Sequence, residues 1–99
     1  MEYYGSRRID ELGRMVFPGG LRQTLGIAEG CKASLNPVEH LVVFKCMDDE
    51  ASPYAFTSDF DNLGRIVIPP ELMEKQGWTT KDTKIDIYLT GSILLLKPV

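Results

Sequence analysis

The chain matches itself. Shifted by 51 positions, Asp10-Glu11-Leu12-Gly13-Arg14-Met15-Val16-Phe17-Pro18 falls on Asp61-Asn62-Leu63-Gly64-Arg65-Ile66-Val67-Ile68-Pro69, Leu21 on Leu72 and Gly26 on Gly77. Eight of the eighteen positions in 10–27 and 61–78 are identical. With one residue inserted in the second copy, Leu41-Val42-Val43-Phe44-Lys45 falls on Ile93-Leu94-Leu95-Leu96-Lys97. The copies therefore span residues 3–45 and 54–97, joined by an acidic linker, 46–53, that ends in Pro53. Such a linker reaches at most about 26–29 Å, which makes the copies neighbours. A unit of this size with a few strands is too small for a comfortable core. The expectation is one domain, 1–99, in which two pseudo-symmetric copies share a core.

Each copy opens with a short strand, expected at 6–9 and 55–60. Leu-Gly-Arg follows, with Gly13 and Gly64 supplying the positive φ of a tight reversal. The next strand, Met15-Val16-Phe17 or Ile66-Val67-Ile68, ends at proline, which opens a helix. Pro69-Pro70-Glu71-Leu72-Met73-Glu74-Lys75-Gln76 reads as two turns stopped by Gly77. In the first copy Gly19-Gly20 weakens the first turn by about 1 kcal/mol each, and Gly26 is the stop. Two strands close each copy. Lys84-Ile85-Asp86-Ile87-Tyr88-Leu89 alternates, so one face is buried. Thr90-Gly91-Ser92 turns the chain into Ile93-Leu94-Leu95-Leu96, apolar on both faces and suited to a central strand. The first copy is expected to turn more widely, over Asn36-Pro37-Val38-Glu39-His40. The fold class is mainly β with two short helices, closed into a barrel-like unit.

Charge divides unevenly. Residues 1–47 carry six Lys/Arg and five Asp/Glu, net +1, and residues 48–99 carry five and nine, net −4, together the −3 of the chain. Basic character gathers at Arg7, Arg8, Arg14 and Arg22. Cys31 and Cys46 lack metal-site spacing and read as reduced thiols. The first residues have no signal-peptide core, and no apolar run approaches the roughly 20 residues that span a bilayer. The expected location is the cytoplasm. No nucleophile–base pair, phosphate-cradling loop or metal cluster is present. The expectation is no enzyme, no cofactor, no metal and no small-molecule substrate. Asp48-Asp49-Glu50 reads as a linker charge run, His40 as a surface histidine, Trp78 as core, and Tyr3, Tyr4 and Tyr54 as packing residues.

Arg7-Arg8-Ile9-Asp10-Glu11-Leu12-Gly13-Arg14-Met15-Val16-Phe17-Pro18, then Leu21-Arg22 and Leu25-Gly26-Ile27, resembles the AbrB/SpoVT/MazE motif: a basic pair, an Asp-x-Leu-Gly-Arg turn, an apolar strand ending in proline, a short helix, and Leu-Gly-Ile. The second copy keeps the turn, Ile-Pro and the helix. The resemblance implies a swapped-hairpin fold in which both halves come from one chain. It also implies a transcriptional regulator that binds double-stranded DNA through Arg7, Arg8, Arg14 and Arg22. In the second copy only Arg65 survives. Ser58-Asp59 replaces the basic pair, and Met73-Glu74 replaces the helix arginines, where the first copy has Arg22-Gln23. DNA contact is therefore expected from the first copy. Two readings stay open for Arg14 and Arg65: phosphate or base contact, or an ion pair or carbonyl contact with the sister copy through Asp10 or Asp61. A homodimer on DNA is also open. The alternative functions are a protein-interaction module or a MazE-like antitoxin. The second needs a C-terminal toxin-binding tail, and the sequence runs only to Val99.

Overall fold

A computed structural model describes residues 1–27, 32–46 and 56–99. Along the chain lie β1 (Glu2–Arg8), β2 (Arg14–Val16), α1 (Gly19–Leu25), β3 (Lys32–Val38), β4 (Leu41–Cys46), β5 (Phe56–Asp59), β6 (Arg65–Val67), α2 (Pro70–Gln76), β7 (Lys84–Thr90) and β8 (Ile93–Pro98). The chain is mainly β with two short helices. Six strands form an antiparallel sheet in the order β1-β7-β8-β4-β3-β5, and β2 pairs with β6 in a separate ribbon. β1 and β5 are edges, so among the described residues the sheet does not close into the expected barrel.

The two copies interleave. β1 of the first copy adds to β7 of the second, and β5 of the second adds to β3 of the first. Among the described residues, each copy's opening strand thus finds its only sheet partner in the other copy's closing hairpin. In the ribbon Met15 faces its own equivalent Ile66, and at the sheet centre Val43 faces its own equivalent Leu95. On either side of these pairs the partners exchange: Arg14 faces Val67 and Val16 faces Arg65, while Val42 faces Leu96 and Phe44 faces Leu94. Both ladders therefore carry one pseudo-two-fold relation between the copies.

Alternation drives this packing. In β7, Ile85, Ile87 and Leu89 are buried while Lys84, Asp86 and Tyr88 are not, as expected from the sequence. β8 is central, with Leu94 and Leu96 buried and Ile93 and Leu95 half-buried on the other face. A single core takes residues from both copies, including Leu21 of α1, Leu72 and Met73 of α2, and Trp78. It is chemically lopsided. Phe17, Phe44 and Phe60 form a ring cluster with centroids 4.9, 5.2 and 5.8 Å apart. Their equivalents in the repeat are Ile68, Leu96 and Ile9, all buried aliphatics.

Three expectations about local structure are corrected. β1 begins at Glu2, four residues earlier than the short strand expected. The turn of the first copy is only Glu39-His40, because β3 runs through Pro37 to Val38, which pairs with Leu41. Beside a two-residue turn the closing pair is hydrogen-bonded and the next pair is not. The missing N–H of Pro37 therefore faces away from β4, and the β3–β4 ladder loses no hydrogen bond there. Cys46 closes β4 and does not open the linker. The rest of the linker, with Tyr54 and Cys31, lies outside the described residues. His40 is exposed and Trp78 is 4% exposed. Among the described residues no helix is long and apolar enough to cross a membrane.

Candidate nucleic-acid interface

Aspartate organises each turn. Asp10 Oδ1 accepts hydrogen bonds from the backbone N–H of Leu12 (2.9 Å) and Arg14 (2.8 Å), while Oδ2 accepts from Arg14 Nε at 2.8 Å. Asp61 repeats the arrangement with Leu63 and Arg65 at 2.9, 2.9 and 2.6 Å. Burial raises the Asp10 carboxyl, but the bonds from Arg14 and Leu12 outweigh it and hold Asp10 below the ordinary aspartate range. At Asp61 the backbone N–H of Arg65 is the main cause of the same lowering. Both carboxylates stay ionised near neutral pH and fix the arginine stems.

Arg14 and Arg65 therefore share one environment: each pairs with the aspartate four residues earlier in its own copy. Of the two readings left open by the sequence, the ion pair with the sister copy is not seen among the described residues; each pair lies within its own copy. Each Nε is engaged, and among the described residues no hydrogen bond is seen from either pair of terminal nitrogens. Arg14, Val16, Arg65 and Val67 lie on one face of the ribbon, opposite buried Met15 and Ile66. Leu12 and Leu63 stand at the turn tips, 69% and 58% exposed, so the ribbon offers the solvent two arginines among apolar groups.

Gly13 and Gly64 have φ of +76° and +75°, the positive values expected. Their surroundings differ. The guanidinium of Arg22 lies against Gly64, in the space a Cβ would take. Arg22 Nε is buried without a hydrogen-bond partner among the described residues. At Gly13 the equivalent side chain is Met73, and an added Cβ would lie 3.6 Å from its Sδ, an ordinary contact. Gly13→Ala should therefore cost only the backbone strain, about 1–2 kcal/mol. Gly64→Ala should cost that and displace Arg22 as well. Urea midpoints of the two variants test this, with Arg22→Ala as a second change that should narrow the gap. Equal shifts for Gly13→Ala and Gly64→Ala would contradict the placement of Arg22.

The structure does not sort the sequence-predicted arginines by copy. Arg22, on α1, covers the turn of the second copy at Gly64, the residue before Arg65. Arg8 lies on edge strand β1 opposite Lys84, and its Nη1 donates to the Lys81 carbonyl at 2.9 Å. Arg7 folds back to donate to the Ser6 carbonyl at 2.8 Å. The basic residues missed in the sequence are Lys81 and Lys84, which interleaving brings to Arg8. Among the described residues no three His, Cys, Asp or Glu gather as a metal site.

No family model matches the chain, and no curated protein matches it. Among solved structures it is similar to the solution structure of PHS018 from Pyrococcus horikoshii. The TM-score is 0.57 at 22% identity, over 95% of this chain and 88% of that one. The likeness is one of fold.

Proposed function

We propose that the chain is a DNA-binding transcriptional regulator of the AbrB type, built as a swapped hairpin within one chain and working by binding, not catalysis. The observation that carries this reading is the ribbon face. Two arginines related by the pseudo-two-fold stand on one ribbon face, each held at Nε by an aspartate, with Arg22 over the turn glycine that precedes Arg65. Preset guanidinium groups suit phosphate oxygens and guanine edges, which they bind bidentately. Local two-fold symmetry in a protein matches the local symmetry of the duplex. Arg8 and Lys84, paired across the edge strand, add a second positive patch, with Arg7 on the other face of that strand. One chain makes few contacts, so two chains side by side on DNA, in the cytoplasm, form the functional complex.

The test is fluorescence anisotropy on duplex DNA across a salt series. Arg14→Ala and Arg65→Ala should weaken binding by similar factors, about tenfold each. Each should also reduce the slope of log affinity against log salt by about one per binding chain. Arg22→Ala should do the same. Failure of the folded wild-type protein to bind at low salt would overturn the reading and leave the interaction module as the alternative.

A further inference from the structure

The two ends of the ribbon are equivalent in backbone and opposite in character. At one end Arg22 lies over Gly64, flanked by Gln23 and Asn62. At the other, the same positions hold Met73 over Gly13, Glu74 and Glu11. Here a groove of about 430 Å³ opens, its apolar lining including Leu12, Val67, Met73 and Trp78 and its rim carrying Glu11 and Glu74. Glu11 is only loosely engaged, with Lys81 Nζ at 3.7 Å and both side chains more than half exposed. In the floor, Trp78 is 4% exposed and its indole N–H has no acceptor among the described residues.

We propose that this groove docks a basic segment of a partner protein, with one bulky apolar side chain over Leu12, Val67 and Met73 and flanking Lys or Arg residues at Glu11 and Glu74. Charge complementarity selects this occupant. Carboxylates on the rim repel DNA phosphate, and they equally repel the chain's own acidic run Asp48-Asp49-Glu50. The first copy supplies the precedent: there the chain seats its own cation, Arg22, on the turn glycine. In the second copy that cation is replaced by methionine, and the acidic rim is left to an incoming one. The groove borders the ribbon face and shares Leu12 and Val67 with it, so the test below reads peptide binding with no DNA present.

The test uses the full chain and two capped synthetic peptides, Arg-Leu-Lys-Leu-Arg and Arg-Ser-Lys-Ser-Arg, followed by amide and indole NMR. The leucine peptide should shift the Trp78 indole and the Gly13 and Leu12 amides saturably. The serine peptide of equal charge should bind at least tenfold more weakly. Glu74→Lys should reduce leucine-peptide affinity by about tenfold or more, whereas Gln23→Lys, at the equivalent place on α1, should leave it unchanged. Equal binding of the two peptides, shifts spread over the acidic surface, or a folded Glu74→Lys protein that binds as well as wild type would each overturn the proposal.

Discussion

Neither half of the chain, expressed without the other, is expected to give a folded monomer. Residues 1–47 keep the hairpin β3–β4 and lose β7, β6, β8 and β5, the partners of β1, β2, β4 and β3. Residues 53–99 are stripped in the same way. Ile9, Met15 and Phe17 would then face solvent, as would Ile66, Ile68 and Leu72, all now essentially without exposure. Burying a side chain of this size is worth about 1.5–3 kcal/mol, and native domains rest on only about 5–15 kcal/mol in total. Each half alone should therefore give a collapsed amide NMR spectrum, or a spectrum that sharpens only with self-association. An equimolar mixture should recover the dispersed spectrum of the intact chain. A well-dispersed spectrum from either half at monomer mass would show that the copies are independent units.

The largest single-residue effect is expected at Phe17. Its ring contacts Phe44 and Phe60 at centroid distances of 4.9 and 5.2 Å, so it joins the first copy to the second. Phe17→Ala should cost about 3–5 kcal/mol, the range for a buried phenylalanine in a core that relaxes only in part. At about 4–8 °C per kcal/mol for a domain of this size, the melting midpoint should fall by more than ten degrees. Ile68→Ala, the equivalent change in the aliphatic cluster, should cost about 2–5 kcal/mol. Urea titration gives both values. A loss below about 1 kcal/mol for a Phe17→Ala protein with an unchanged urea slope would show that the ring cluster is not the seam between the copies.

Much of the local structure is legible in the sequence because it depends on neighbours a few residues apart. Asp10-x-Leu12-Gly13-Arg14 specifies its turn through a side chain that bonds the backbone two and four residues on. The same logic ends the helices at Gly26 and Gly77. Alternation in Lys84-Ile85-Asp86-Ile87-Tyr88-Leu89 fixes which face is buried. It does not say which strand lies alongside, since pairing across a sheet is decided by contacts far apart in sequence. Alternation alone therefore does not reveal the interleaving, which only the family resemblance implies. Nor does it reveal the position of Arg22 over Gly64, the company of Arg8 and Lys81, and the acidic groove at the other turn. Arg14 and Arg65 look unequal in sequence because their flanking residues differ, but their own pairing is internal to the turn and identical. Pro37 misleads for a related reason: its tolerance within β3 depends on which way its nitrogen points in the β3–β4 ladder.

The pseudo-two-fold axis has a consequence for how such a chain diversifies. In a dimer of identical subunits every substitution occurs twice, so the two ends of the assembly change together. Joining both copies in one polypeptide removes that constraint. Phenylalanines fill one side of the interior while aliphatic groups fill the other, and arginine caps one turn while methionine caps its mirror. Each side is free to drift toward a separate task as long as the shared ladders at Met15–Ile66 and Val43–Leu95 persist. A symmetric homodimer addresses palindromes and presents every surface in duplicate. This chain carries a distinguishable left and right, enough to orient whatever it binds in a single direction.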